Sequence, residues 1–67
     1  MFNKNKFNAM LLNHNVSKQM LADYLGIKVY SLNRKIRLGG NFSAKEIRKL
    51  IDVFNREEVF GCLFDYE

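Results

Sequence analysis

At 67 residues the chain has room for one domain, and a domain of that size buries only about 60% of the surface it exposes when unfolded. A hydrophobic share of 48% excludes disorder, a single cysteine excludes an intramolecular disulfide, and a formal net charge of +4 points toward polyanionic partners. Without proline, and with only four glycines, the chain lacks the turn signals of a β fold. The expectation is all-α: one domain over 1–67, a compact bundle of about five short helices. No basic-then-apolar leader is present, and no apolar run approaches the roughly 18 residues of a membrane helix. A cytoplasmic setting without membrane contact is therefore expected.

In chain order, Phe2 to Asn13 places Phe7, Met10 and Leu11 at helical spacing and predicts an amphipathic first helix. His14 falls at its end, where a capping or surface role suits it and where no nucleophile or metal ligand accompanies it. Ser17 is placed to cap a second helix in which Leu21, Ala22 and Leu25 share one face. Gly26 follows where the chain must turn, and Ala22 is small enough to let two helices approach closely. A third helix is predicted over 28–38, with Leu32 and Ile36 inward. Two helices meeting through so short a turn make a helix-turn-helix unit over 17–37.

Gly39-Gly40 then ends that helix, with one glycine of the pair expected in the left-handed conformation that closes the C-terminal carbonyls. Ser43 to Glu46 has the spacing of a capping box, followed by a stripe of Ile47, Leu50, Ile51 and Phe54. Glu57 and Glu58 open a last short helix in an apolar tail over 56–67, where Gly61 weakens the helix by roughly 1 kcal/mol against alanine. Cys62 reads as a small apolar residue of core or interface. The 47–54 stripe already supplies an apolar face to cover the unit, which makes Val59, Phe60, Leu63 and Phe64 candidates for self-association or for docking a partner regulator; a terminal helix folded onto its own core is the competing reading.

Between Gly26 and Gly40 every charged residue is basic: Lys28, Arg34, Lys35 and Arg37 sum to +4, so the rest of the chain sums to zero. Pairs of like charge three or four apart do not stabilise a helix, whereas a polyanion would be attracted to them. The outward side chains suit base edges. Arg34 can pair bidentately with guanine, Asn33 with adenine, and Val29 or Tyr30 can pack on a thymine methyl. Lys28 opposes the dipole at a helix start, which fits a phosphate or base ligand better than a structural role.

Leu21-Ala22, Leu25-Gly26-Ile27, Leu32 and the string SLNRKI resemble the helix-turn-helix of lambda-repressor-like (Cro/CI, XRE-type) regulators, especially the small phage and prophage forms. The resemblance extends to FSAKEIRKLIDVF and REEVFGCLF, which look like the last two helices of such regulators. It departs from the pattern at Lys28, where Ser or Thr commonly opens the recognition helix, and at Lys35, an inward position often apolar in the family. The resemblance implies sequence-specific binding of double-stranded operator DNA, with Lys28, Val29, Tyr30, Asn33 and Arg34 facing bases. Ser17, Lys18, Gln19, Arg37 and Asn41 would then face phosphate. Simple solvation of Lys18 and Gln19, and an ordinary structural loop at Asn41, are the competing readings.

Two-fold dimers are usual in that family. A helix-turn-helix protein acting as an antirepressor, docking on another regulator, is the alternative function. Catalysis and metal binding are not expected: one His and one Cys far apart fall short of a reacting group or a four-ligand zinc set. No cofactor or small-molecule substrate is implied.

Overall fold

Four of the five helices in the computed structural model, which describes residues 1–65, start on a short polar side chain that accepts a free backbone N–H. Asn3 Oδ1 accepts from Lys6 N at 3.0 Å to open α1 (Lys4–Asn13), and Ser17 Oγ accepts from Met20 N at 3.1 Å to open α2 (Lys18–Leu25). Ser43 and Glu46 form the reciprocal capping box of α4 (Ala44–Val53) at 3.2 and 2.9 Å. Asn55 accepts from Glu58 N at 2.8 Å before α5 (Arg56–Leu63). The exception is α3 (Val29–Arg37), whose N-cap is Lys28, with no side-chain cap bond. Among the described residues there is no strand, and the fold is an all-α bundle.

Glycine closes the two helices of the central unit in the same way. Gly26, at φ +76°, and Gly39, at φ +98°, each take the left-handed conformation just past a helix. Ile27 N reaches Ala22 O at 3.0 Å, and Gly40 N reaches Lys35 O at 2.8 Å, the six-residue closure that satisfies carbonyls left open at a helix end. Only one positive φ was expected at the Gly39-Gly40 pair, yet Gly40 also has φ +72°. Its bare Cα is covered by the ring of Phe2.

The core draws on all five helices. Phe7, Leu21, Leu32, Leu50 and Val59, one from each, are fully buried, and Ala22 is completely covered between α2 and its neighbours. The Cα radius of gyration is 10.7 Å, against the roughly 11 Å of a compact chain this long. Phe42, in the loop before α4, stacks on Phe7 with centroids 5.7 Å apart, and Phe2 closes the same cluster at 5.5 Å from Phe7.

α5 divides the tail between the two readings the sequence left open. It packs along α1 as well as α4, and that second surface makes room for Val59, Cys62 and Leu63 in the core, at 1%, 3% and 7% exposure. Val59 and Leu63 are thus core residues, not contact residues; of the four tail candidates only Phe60 and Phe64 face outward. Positions 66–67 of the tail lie outside the described residues. Burial also pushes the Cys62 thiol above its ordinary pKa, which suits its role as packing.

The first residues are clasped to Asp65. Asp65 accepts from Asn3 Nδ2 at 2.7 Å and from Lys6 Nζ at 3.1 Å, while its N–H donates to Met1 O at 2.8 Å. At the other end of α1, His14 Nε2 lies 3.0 Å from Glu58 on α5, with its ring edge-on to Phe54.

Those bonds from Asn3 and Lys6 hold the Asp65 carboxyl below its ordinary value. A group lowered in this way stabilises the fold in full above its unfolded pKa, about 3.9 for Asp. That stability is lost as pH falls through the lower folded value. Thermal melts taken from neutral pH down through that range should show Asp65→Asn less acid-sensitive than the parent. Parallel pH profiles for the two would mean that the Asp65 charge contributes nothing to the clasp.

Candidate nucleic-acid interface

α2 and α3 meet through Gly26, Ile27 and Lys28, and α3 buries Leu32 and Ile36 against the rest of the bundle. That packing leaves Tyr30, Asn33, Arg34 and Arg37 exposed at spacings of three and four, which is one outward stripe of the helix. Nine residues of helix are about 13 Å long, and the major groove of B-DNA, about 12 Å wide, admits a helix of this kind.

The charge on α3 is divided between two jobs. Lys35 is half-buried and turned toward α4, its Nζ 3.3 Å from Glu46 Oε1 and 3.3 Å from the backbone oxygen of Asn41. It therefore contributes to the fold, and the inward position that looked unfavourable in sequence is satisfied by an acid eleven residues away. Burial pushes the Glu46 carboxyl up, but the Ser43 N–H and the Lys35 ammonium outweigh it and hold the group below its ordinary value. Lys28, Arg34 and Arg37 remain exposed, and none has a carboxylate partner among the described residues.

Arg34 and Arg37 stand in the last turn of α3, where the negative end of the helix dipole favours cations. Lys28 has no such explanation. It stands at the N-terminal end, where the dipole opposes it and where no side chain caps the first amides.

The other sequence candidates are placed as follows. Val29 is half-buried against the core and offers only part of its surface outward. The predicted helix over 28–38 is one residue shorter at each end, with Lys28 and Leu38 as its caps. Ser17 and Lys18 are exposed at the start of α2, where the Ser17 oxygen is engaged as a cap and its hydroxyl proton stays available to donate. Gln19 is exposed, but its amide donates to Asp23 at 3.0 Å and is turned along its own helix. Asn41 is exposed beside α3, its backbone held by Lys35.

Sequence reasoning missed a groove. Tyr30, Ser31, Arg34, Lys35, Leu38 and Asn41 enclose an open concavity of about 300 Å³ along the flank of α3. Ser31 and Leu38 carried no sequence signal for it, because Asn41, from the loop past α3, joins them only through the fold. The surface thus combines hydroxyl, amide and guanidinium donors with an exposed tyrosine. Such a set can pair with base edges and with phosphate, while no three His, Cys, Asp or Glu side chains among the described residues come together as a metal site. None of the described helices is long and apolar enough to cross a membrane. No protein-family model matches the chain, and neither a curated protein nor a solved structure matches it.

Proposed function

We propose that the chain is a sequence-specific double-stranded DNA-binding transcriptional regulator of the small phage Cro/repressor kind, reading the major groove with α3 and acting as a binding protein, not a catalyst. The observation that carries this reading is the exposed stripe of Tyr30, Asn33, Arg34 and Arg37, with Lys28 at its head and no acid on α3. In this reading Arg34 and Asn33 address base edges and Tyr30 an apolar edge, with the exposed part of Val29 beside it. Lys18, Arg37, Asn41 and the Ser17 hydroxyl address phosphate, and Lys28 either. Gln19 contributes only after its amide leaves Asp23.

The test is retention of labelled DNA from the protein's own upstream region at defined salt, with scrambled DNA of equal length as competitor. Retention that survives the competitor is the expected result. A folded chain that shows no preference for its own DNA, even at low salt, would refute it. That outcome would favour the second reading, a protein-docking module acting as an antirepressor, for which the exposed pair Phe60 and Phe64 speaks.

A further inference from the structure

α1 ends with Asn15 in the left-handed conformation, φ +56°, and with Val16 N donating to Leu11 O at 2.9 Å, so the chain folds back and α2 starts beside the helix just completed. Between the two helix ends lies an open groove of about 300 Å³, lined by Asn8, Leu11, Leu12, Val16, Ser17 and Lys18. Leu11 is buried in its floor, yet Leu12 beside it is 77% exposed. Asn8 stands in the wall with its Oδ1 covered and without a hydrogen-bond donor among the described residues. An acceptor left in that state costs stability, and nothing among those residues fixes which end of the amide faces the groove. The charge around the groove has one sign. No acid precedes Asp23 in the chain. Lys4, one turn before Asn8 on the same stripe of α1, and Lys18 are exposed and have no carboxylate partner among the described residues. Asp23 is engaged by Gln19, while Asp65 and Glu58 bond Lys6 and His14 on the other flank of α1.

We propose that this groove docks an acidic amphipathic helix of a partner protein, its apolar face on Leu11, Leu12 and Val16 and its carboxylates toward Lys4 and Lys18. A phosphate backbone would use the two lysines but leave the three apolar side chains in water. A helix with leucines three and four apart and glutamates beside them uses both. The Asn8 amide, free to present its N–H or its C=O, adds one polar contact at the wall. Lys4 to Leu12 spans about 12 Å along α1, which matches two to three turns of such a partner. The groove is short and both lysines are exposed, so the contact is weak and salt-dependent. The inference stands whether or not α3 binds DNA.

The probe is a labelled synthetic peptide of about 15 residues, built of glutamate and alanine with leucines three and four apart, titrated by fluorescence anisotropy against the full chain without DNA. Saturable binding below millimolar concentration is expected, with backbone amide shifts in NMR concentrated at Asn8, Leu12, Val16 and Ser17. Leu12→Gln keeps a good helix former at an exposed position, so its melting temperature should hardly move while peptide affinity falls about tenfold or more. Leu38→Gln, at an exposed leucine of the α3 side, should bind as the parent does. Lys4→Glu with Lys18→Glu should lose the acidic peptide and gain a version carrying lysine in place of glutamate. No binding up to millimolar peptide overturns the proposal, as does a Leu12→Gln chain that binds as well as the parent. Amide shifts centred on α3, or equal affinity for a peptide with serine in place of leucine, would make the contact a plain attraction of charge and overturn it as well.

Discussion

Gly40→Ala is expected to destabilise the fold by about 2–4 kcal/mol, a large share of what a 67-residue domain has. Two effects combine. A residue with a Cβ is strained at φ +72°, and the Cβ would also run into the ring of Phe2, which must leave its place against Phe7 and Phe42. Gly26 separates the two effects, because it has nearly the same φ, +76°, but nothing within 4 Å of an added Cβ. Gly26→Ala should therefore cost only the backbone strain, about 1 kcal/mol, and Gly26→Asn less, since asparagine tolerates the left-handed region. Gly40→Asn should remain severely destabilised. Urea unfolding of the four variants gives the comparison, and Phe2→Ala should make Gly40→Ala less costly than it is in the parent. Equal losses at the two glycines would remove Phe2 from the account.

The helical plan was legible because its signals are local. Ser17, Ser43 with Glu46, Gly26 and Gly39 act within a few residues of the ends they define, and the inward stripes Phe7, Met10, Leu11 and Leu21, Ala22, Leu25 recur at the helical period. What escaped the reading depends on contacts between distant residues. Lys35 looked like a charge on the wrong side of α3 until Glu46 and the Asn41 carbonyl came within 3.3 Å of it. Phe2 and Phe42 lie outside any helix and so have no period to betray that they pack around Phe7, Phe42 buried and Phe2 partly so.

The tail stayed open between core and contact surface for the same kind of reason. Its apolar residues could be counted, but whether α5 had two helices to pack on or one decides which of them are covered. The pairing of α1 with α5 takes Val59 and Leu63 inside and leaves Phe60 and Phe64 out. On the candidate interface, exposure of Tyr30, Asn33, Arg34 and Arg37 followed directly from the inward positions of Leu32 and Ile36. The groove beside them is completed by Asn41 of the following loop and could not be read from spacing.

Arg34→Ala is expected to weaken binding to the chain's own DNA site by about 1–3 kcal/mol and to relax the preference at a single base pair, since a bidentate guanine contact carries base information. Because Arg34 is exposed and makes no ion pair among the described residues, the melting temperature should change little. Lys18→Ala provides the contrast. Lys18 is the exposed first residue of α2, placed to neutralise a phosphate. Its loss should lower affinity alike on all sequences and make the log–log salt dependence shallower by about 0.9. Lys35→Met should behave differently from both: it breaks the Glu46 pair and frees the Asn41 loop, so its first effect is a lower melting temperature. Binding titrations at several salt concentrations, on the site and on single-base variants of it, measure all three. If Arg34→Ala and Lys18→Ala lose affinity equally on every sequence and share one salt slope, then Arg34 reads no base and α3 is at most a phosphate-binding surface.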